Sequence, residues 1–423
     1  MSKWFKKRFP ALNAWCLQMR ENARIKCAQR RVDRHLAGLR GKACVRVAFL
    51  VVLDSVFHFD RLFELMLADP QFEPFIVVIP EVDRGEAWGT RLYAQVLEAM
   101  RARYGEKVIG AYQEGRWMEV ADQYDICVAL NSYDALTLPI YGIKYLGKRG
   151  VPVVLSNYGY DVGSSYTHTY CSMKQLPYLW RFYCGTSSVW ETLTQLQPML
   201  VRFGRIKFSG VPKMDSMSDV KEQPRTRKRI LICPHHSIEG SSLLNLSNFP
   251  KYADLFLALP KRYPQIDWVF RPHPLLASSL VLHGDWKTGD WERYVEAFTA
   301  SPNATYYPSG SCFELFVNSD GMIQDCSSFL AEYHCSGHPQ CYLLKSLEQA
   351  KAEYGPWGLT LLKYTYEGFS EQDIIRFIED VVLQGHDTKQ RERLQFVNDK
   401  MRYNYPHVND WILNEMKAAI WGA

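Results

Sequence analysis

From Cys44 onward the chain alternates short β-rich runs with stretches whose apolar residues recur at helical spacing. CVRVAFLVVLD (44–54) reads as a buried strand, FDRLFELMLAD (59–69) as a helix and FIVVIP (75–80) as a strand again. TRLYAQVLEAMRARYG is a helix ended by Gly105. DICVAL (125–130) and VPVVLSN (151–157) are further strands, separated by the helical YGIKYLGKRG. FYCGT, SVWETLTQLQ and IKFSG carry the alternation to residue 210. SMSDVKEQPRTRKR (216–229) is polar, contains proline and has no periodicity, so it reads as a linker. The alternation then restarts with ILICP (230–234), YADLFLALPKRY, IDWVF (266–270), WERYVEAFTA, ATYY, CFELFVNS, GMIQ, SSFLAEYHCSG and QCYLL. From about Ser370 the pattern is helical.

Strands separated by helices of roughly 10–15 residues predict βαβ units and parallel sheets. The expected class is α/β, with two Rossmann-like domains facing a central cleft. The divisions are an N-terminal helical arm (1–42), an N-terminal domain (43–215), the linker, a C-terminal domain (230–385) and terminal helices (386–423). In open parallel sheets ligands bind beyond the carboxyl ends of the strands. Functional polar residues should therefore follow directly on the apolar runs.

In the second half they do. ILIC is followed by Pro234-His235-His236-Ser237, DWVF by Arg271-Pro272-His273-Pro274, and GMIQ by Asp325-Cys326-Ser327-Ser328. The shared chemistry is anion binding. A helix starting at Ser327 offers unpaired backbone N–H groups, and Ser327 and Ser328 add hydroxyl donors. Arg271 suits paired contacts to phosphate oxygens, and His236 and His273 donate or carry charge. Each piece has a plainer reading: an N-cap at Asp325 or Ser327, a loop histidine, a rigid Arg-Pro-His-Pro turn. Their joint occurrence after three strands favours a phosphate site. In the first half, strand ends carry Asp54 with His58, Asn131 with Tyr133 and Asp134, and Asn157 through Asp161. These are places for an acceptor and a general base, with Asp161 and Asp134 as the candidate carboxylates.

Composition narrows the setting. The 423 residues are 47% hydrophobic and 14% aromatic, enough for two cores. Eleven cysteines show no CxxC pair or zinc spacing, and Cys44, Cys127 and Cys233 sit in apolar runs. A reducing, cytoplasmic compartment is expected. No apolar run approaches the roughly 20 residues that cross a bilayer, and the N-terminus lacks a signal-peptide cleavage pattern. Residues 1–42 hold 12 Lys/Arg against Glu21 and Asp33, whereas the remainder holds 38 against 43. With Trp4, Phe5, Phe9 and Trp15, this basic arm suits an anionic membrane surface, which predicts a peripheral protein at the inner face of the cell membrane. The mildly acidic body argues against nucleic acid.

The ordered segments KRILICPHHSI, WVFRPHPLL and SDGMIQDCSSFLAEY resemble the CDP-glycerol glycerophosphotransferase family, which builds teichoic acids and related capsule polymers. SGVPKMD (209–215) is similar to the segment that closes the family's N-terminal domain. The resemblance covers about residues 44–345. It implies a GT-B fold and transfer of a polyol phosphate from CDP-glycerol or a related CDP-polyol to a hydroxyl of a glycan or lipid-linked glycan, releasing CMP. It further implies that Arg271, His235, Ser327, Ser328 and Asp325 serve the donor phosphates, that His273 and His236 act in catalysis, and that Glu332 reaches a ribose hydroxyl. No cofactor and no metal are expected. One departure stands out: where the family has a His-Gly pair, this chain reads Asn157-Tyr158-Gly159-Tyr160, which leaves Asp161 as a candidate base. A GT-B glycosyltransferase using a CMP- or UDP-linked sugar is the alternative.

Overall fold

The computed structural model describes residues 10–164, 170–239, 245–308 and 310–422. Trp4, Phe5 and Phe9 of the basic arm lie outside these residues. The chain divides into two compact units. Residues 1–158, 169–213 and 407–423 form the first, and residues 159–168 and 214–406 form the second.

The first unit is built on β1 (Val45–Val51), β2 (Phe72–Val78), β3 (Val108–Gly110), β6 (Ile126–Ala129), β7 (Val153–Ser156), β8 (Arg181–Cys184) and β9 (Ile206–Phe208). β4 (Tyr112–Gln113) and β5 (Arg116–Trp117) form a separate small hairpin. The seven-stranded sheet is ordered β3-β2-β1-β6-β7-β8-β9, and its ladders are parallel. β1 explains why an unbroken apolar run is needed. Val45, Val47, Phe49 and Val51 enter one core, while Ala48, Leu50 and Val52 enter the core on the opposite face. Each fully buried side chain of the size of Phe49 contributes roughly 1.5–3 kcal/mol.

A long helix, Pro10–Leu39, leads into β1. Its buried apolar positions among the described residues are Ile25, Ala28, Val32, Leu36 and Leu39, a stripe at helical spacing that stops short of the first half. The C-terminal helix Val408–Trp421 packs Val408, Ile412, Met416 and Ile420 into the same core as Val32 and Leu36.

The second unit carries β10 (Lys228–Cys233), β11 (Ile266–Phe270), β12 (Ala304–Tyr306), β13 (Gly321–Gln324), β14 (Gln340–Leu343) and β15 (Tyr366–Gly368), ordered β12-β11-β10-β13-β14-β15. These ladders are also parallel. The strand order reverses beside β10, so the crevice between the carboxyl ends of β10 and β13 is the topological switch point.

Most of the expected elements form, with instructive differences. β3 and β15 escape the periodicity because each has three residues and a terminal glycine. The helix expected from Thr90 begins at Glu86, directly after Gly85 at φ 90°. Cys127 and Cys233 are buried, but Cys44 is exposed because it precedes the first ladder pair of β1. Within 216–229, only 219–227 lacks regular structure: Asp215–Ser218 is a helical turn and β10 starts at Lys228.

Candidate functional site

The three strand-end segments of the second unit converge on the switch point. β10 ends at Cys233 and hands over to Pro234-His235-His236, β11 to Arg271-Pro272-His273, and β13 to Asp325. The first two loops are laced together by Arg271 N–H donating to Ile232 O (2.8 Å) and His273 N–H donating to Pro234 O (3.0 Å). The result is a cluster of three imidazoles. Ring centroids lie 4.5 Å apart for His235 and His236, 4.3 Å for His236 and His273, and 5.2 Å for His235 and His273.

Backbone donors decide how two of these rings carry their protons. His235 Nδ1 accepts from Ser237 N–H (3.1 Å) and lies 2.7 Å from Ser237 Oγ. His273 Nδ1 accepts from Leu275 N–H (3.1 Å). With Nδ1 occupied as an acceptor, each neutral ring holds its proton on Nε2 and presents it as a donor. Burial depresses all three rings, and the neighbouring histidines add to this for His235, pushed to about 3, and His273, pushed to about 4. His236 is lowered by burial alone. At neutral pH the trio is uncharged and rich in N–H donors.

The ring nitrogens lie close enough, within 4.8 Å, to hold a metal ion. Metal ligation at Nε2 of His235 or His273 would displace the proton that the backbone contacts place there. Metal-bound histidines normally donate from their other nitrogen, the reverse of what Ser237 N–H and Leu275 N–H require. The donor set fits an anion better than a cation.

Asp325 is the hub beneath this rim. It is fully buried, and its carboxylate accepts from His235 N–H (2.6 Å), Asn248 N–H (2.5 Å) and the Asn248 side-chain amide (3.4 Å). Burial nevertheless pushes its pKa up to about 6, with the backbone donors pulling the other way. Asp325 does not cap the following helix. The N-cap of Ser327–Glu332 is Cys326, which makes no side-chain cap bond, and its N–H is taken by Gln324 Oε1 (2.6 Å). Ser327 is half-buried and Ser328 exposed at the first two helical positions, so neither hydroxyl is the N-cap. Arg271 donates Nη1 to Pro272 O (3.0 Å) and places Nη2 3.9 Å from Cys312 Sγ, while its Nε is buried without a protein acceptor.

Other expected site residues fall elsewhere. Glu332 is 4% exposed and perturbs Tyr160 and Cys335, so it sits in packed interior rather than on an open rim. Asp161 belongs to the second unit, not to the N-terminal domain in which it was expected. The reason is local: Val162 O accepts from Gly355 N–H (3.0 Å), Gly163 bridges Tyr354, and Tyr160 Oη donates to Met401 O (3.1 Å). Burial pushes the Asp161 carboxyl up to about 7. Asp134, the other candidate base, accepts from Ile143 N–H (2.8 Å) and Lys144 N–H (3.1 Å), which commits it to capping the helix Ile143–Arg149.

On the first unit, Asp54 is exposed while His58 is 3% exposed, so the two do not share an environment. His58 lies edge-on to Tyr158 at 5.9 Å, and Lys213 Nζ stands 4.0 Å above the same Tyr158 ring. The sequence gives no sign of this grouping, because its members lie on three distant segments.

No known family profile matches the chain, and no characterised protein matches it in sequence. Solved structures do. A UDP-N-acetylglucosamine 2-epimerase superposes with a TM-score of 0.56 at 12% identity, covering 89% of this chain and 96% of that one. The UDP-GlcNAc-bound 2-epimerase from Neisseria meningitidis gives 0.53 at 11% identity, covering 88% and 99%. The wall teichoic acid polymerase TagF, soaked with CDPG, gives 0.54 at 12% identity, covering 97% and 98%. The fold is GT-B. At these identities the likeness is one of fold, and a GT-B fold hosts more than one chemistry. The chemistry has to come from the site.

Proposed function

We propose that the protein transfers a polyol phosphate, such as glycerol phosphate, from a CDP-activated donor to a hydroxyl of a glycan or lipid-linked glycan, releasing CMP. The observation that carries this reading is the neutral, donor-presenting trio His235, His236 and His273 beside Arg271 at the switch point of the second sheet. Such a set suits a pyrophosphate, whose charge grows on the leaving phosphate during transfer. TagF with CDPG and the epimerase with UDP-GlcNAc support a nucleotide-activated donor on this fold.

In the proposed step, the acceptor oxygen bonds to the phosphorus of the polyol phosphate, and the bond from that phosphorus to the bridging oxygen breaks. The electron pair leaves with CMP. His273 Nε2–H, His236 and the Arg271 guanidinium stabilise the departing phosphate, with Ser327 and Ser328 supplying hydroxyl donors. Asp325 positions His235 through its backbone. The acceptor proton passes to a general base; Asp161, whose carboxyl burial raises to about 7, is the candidate by acidity and not by position.

A nucleotide-sugar reaction is the second reading, favoured by the epimerase neighbours. A donor panel separates the two: CDP-glycerol and CDP-ribitol against UDP-GlcNAc, with glycan acceptors, reading CMP or UDP release and product mass. CMP release with an added polyol phosphate is expected, and its abolition in a folded His273→Ala variant. UDP release from UDP-GlcNAc without any CMP release, or a fully active His273→Ala, overturns the proposal.

A further inference from the structure

The first unit contains a cavity of about 520 Å³ between the long N-terminal helix and the sheet. It lies at the amino ends of β8 and β9, since Arg181 opens β8 and Arg205 immediately precedes β9. Strand-end chemistry belongs to the carboxyl ends, so this is the opposite edge of that sheet.

The lining is unbalanced in charge. Lys26, Arg30, Arg181 and Arg205 face it, against the single carboxylate of Asp33. Asp33 accepts from Arg205 Nη2 at 2.6 Å, and Glu415 accepts from Arg181 Nε at 2.9 Å. After both pairings two positive charges remain, and among the described residues Lys26 and Arg30 form no ion pair. Two further donors lack an acceptor. Gln29 Nε2 and Arg205 Nε are buried without a hydrogen-bond partner, each on a residue of the lining that is 6% exposed. Leaving such groups unmet costs about 1–3 kcal/mol each. Donors without acceptors beside surplus cations describe an anion site whose anion is not a protein side chain.

The surroundings add an apolar requirement. Trp180 and Phe203 line the same cavity. Further along the helix Leu12, Trp15 and Met19 are 46%, 60% and 50% exposed, at i, i+3 and i+7 on one face. A second cavity of about 490 Å³ flanks the helix, lined by Arg31, Arg34, His35, Lys148 and Arg149.

We propose that the cavity at the amino ends of β8 and β9 binds a phosphate group borne next to an apolar moiety, the chemistry of an anionic phospholipid headgroup. Lys26 and Arg30 take the phosphate oxygens, Gln29 and Arg205 supply the buried donors, and Leu12, Trp15 and Met19 enter the acyl boundary beside it. The site is independent of the donor chemistry in the second unit.

The test uses the full chain and the double variant Lys26→Glu/Arg30→Glu, both positions being exposed. Lys261→Glu/Lys351→Glu, also exposed, matches its change in net charge elsewhere. Binding is read by co-sedimentation with vesicles of equimolar phosphatidylcholine and phosphatidylglycerol, and by titration calorimetry with inorganic phosphate and glycerol phosphate. The cavity variant should bind vesicles roughly thirtyfold more weakly, while the matched variant stays near the native protein. Trp15→Ala should weaken vesicle binding and leave the phosphate heats unchanged. Phosphate heats that vanish in the cavity variant, in a protein that never sediments with vesicles, assign the site to a free phosphate compound. Unchanged binding of every probe in the cavity variant, or equal loss in the matched one, overturns the assignment. CMP release followed in parallel keeps the outcomes apart, because the cavity variant should retain it on a soluble acceptor.

Discussion

Replacing Asp325 by asparagine separates the architecture of the site from the stability of the fold, because its two effects on stability oppose each other. The buried carboxylate is disfavoured in its charged form: its pKa is pushed up to about 6. Against an ordinary aspartate, a displacement of that size corresponds to roughly 3 kcal/mol. An amide removes that penalty at neutral pH. It also turns one acceptor oxygen into an NH2 group facing either His235 N–H or Asn248 N–H, now 2.6 and 2.5 Å away. A donor set against a donor costs about 1–3 kcal/mol.

The difference leaves Asp325→Asn within about 2 kcal/mol of the native protein. At roughly 2–4 °C per kcal/mol for a unit of this size, the melting temperature should move by less than about 8 °C. Activity does not share this cancellation. One oxygen cannot hold both N–H groups, so the His235 loop or the Asn248 turn must shift. A displacement of about 1 Å in a positioning element lowers turnover on the order of a hundredfold. The assay pairs scanning calorimetry with CMP release from CDP-glycerol. A folded Asp325→Asn protein with native turnover would refute the argument that this carboxylate organises the rim. A loss of 15 °C or more would refute the cancellation.

The remaining predictions concern pH and metal. His58, His273 and His334 are pushed to about 4 and His235 to about 3. Below pH 6.5 the unfolded chain therefore binds protons at these sites that the native protein does not, and stability falls with pH. Asp161, raised to about 7, and Asp325, raised to about 6, act oppositely and gain stability as pH falls. Four histidines against two aspartates leave a net loss of roughly 2.7 kcal/mol per pH unit between about pH 6 and 4. Calorimetry across this range should place maximal stability near pH 6–7, and stability that rises steadily down to pH 4 would contradict the assignment. For metal, the donor tautomers of His235 and His273 predict that CMP release persists after exhaustive chelation, and a rate restored only by added Mg²⁺ would show that a cation carries the charge instead.

The rim of the second unit was legible because its residues follow their strands directly. In a parallel sheet the end of an apolar run marks the ligand edge, so His235, Arg271, His273 and Asp325 could be placed on it from spacing alone. What the spacing lacks is depth. Glu332 stands in a motif-like position yet faces Tyr160 and Cys335. Asp161 follows a strand of the first unit, but the backbone bond between Gly355 and Val162 draws it into the second. Asp134 looks like a free strand-end carboxylate and is held by a helix nine residues on. The basic cavity was invisible because Lys26, Arg181 and Arg205 meet only in space. The charge surplus of the first 42 residues was the one trace it left.

The histidine trio also explains why ordinary capping could not account for this rim. A cap needs one acceptor for backbone N–H groups, and here the acceptor, Asp325, serves two other loops instead of its own helix. Three neutral imidazoles within 5.2 Å of one another would repel if protonated, so burial and proximity together keep them uncharged in the free protein. An arriving pyrophosphate meets the Nε2–H donors that His235 and His273 already present, while the backbone N–H groups of Ser237 and Leu275 oppose a second proton on Nδ1 of either ring. A fixed cation such as a second arginine would impose that repulsion permanently. For the proposed phosphate site, this is a physical reason to use neutral histidine donors around a single Arg271.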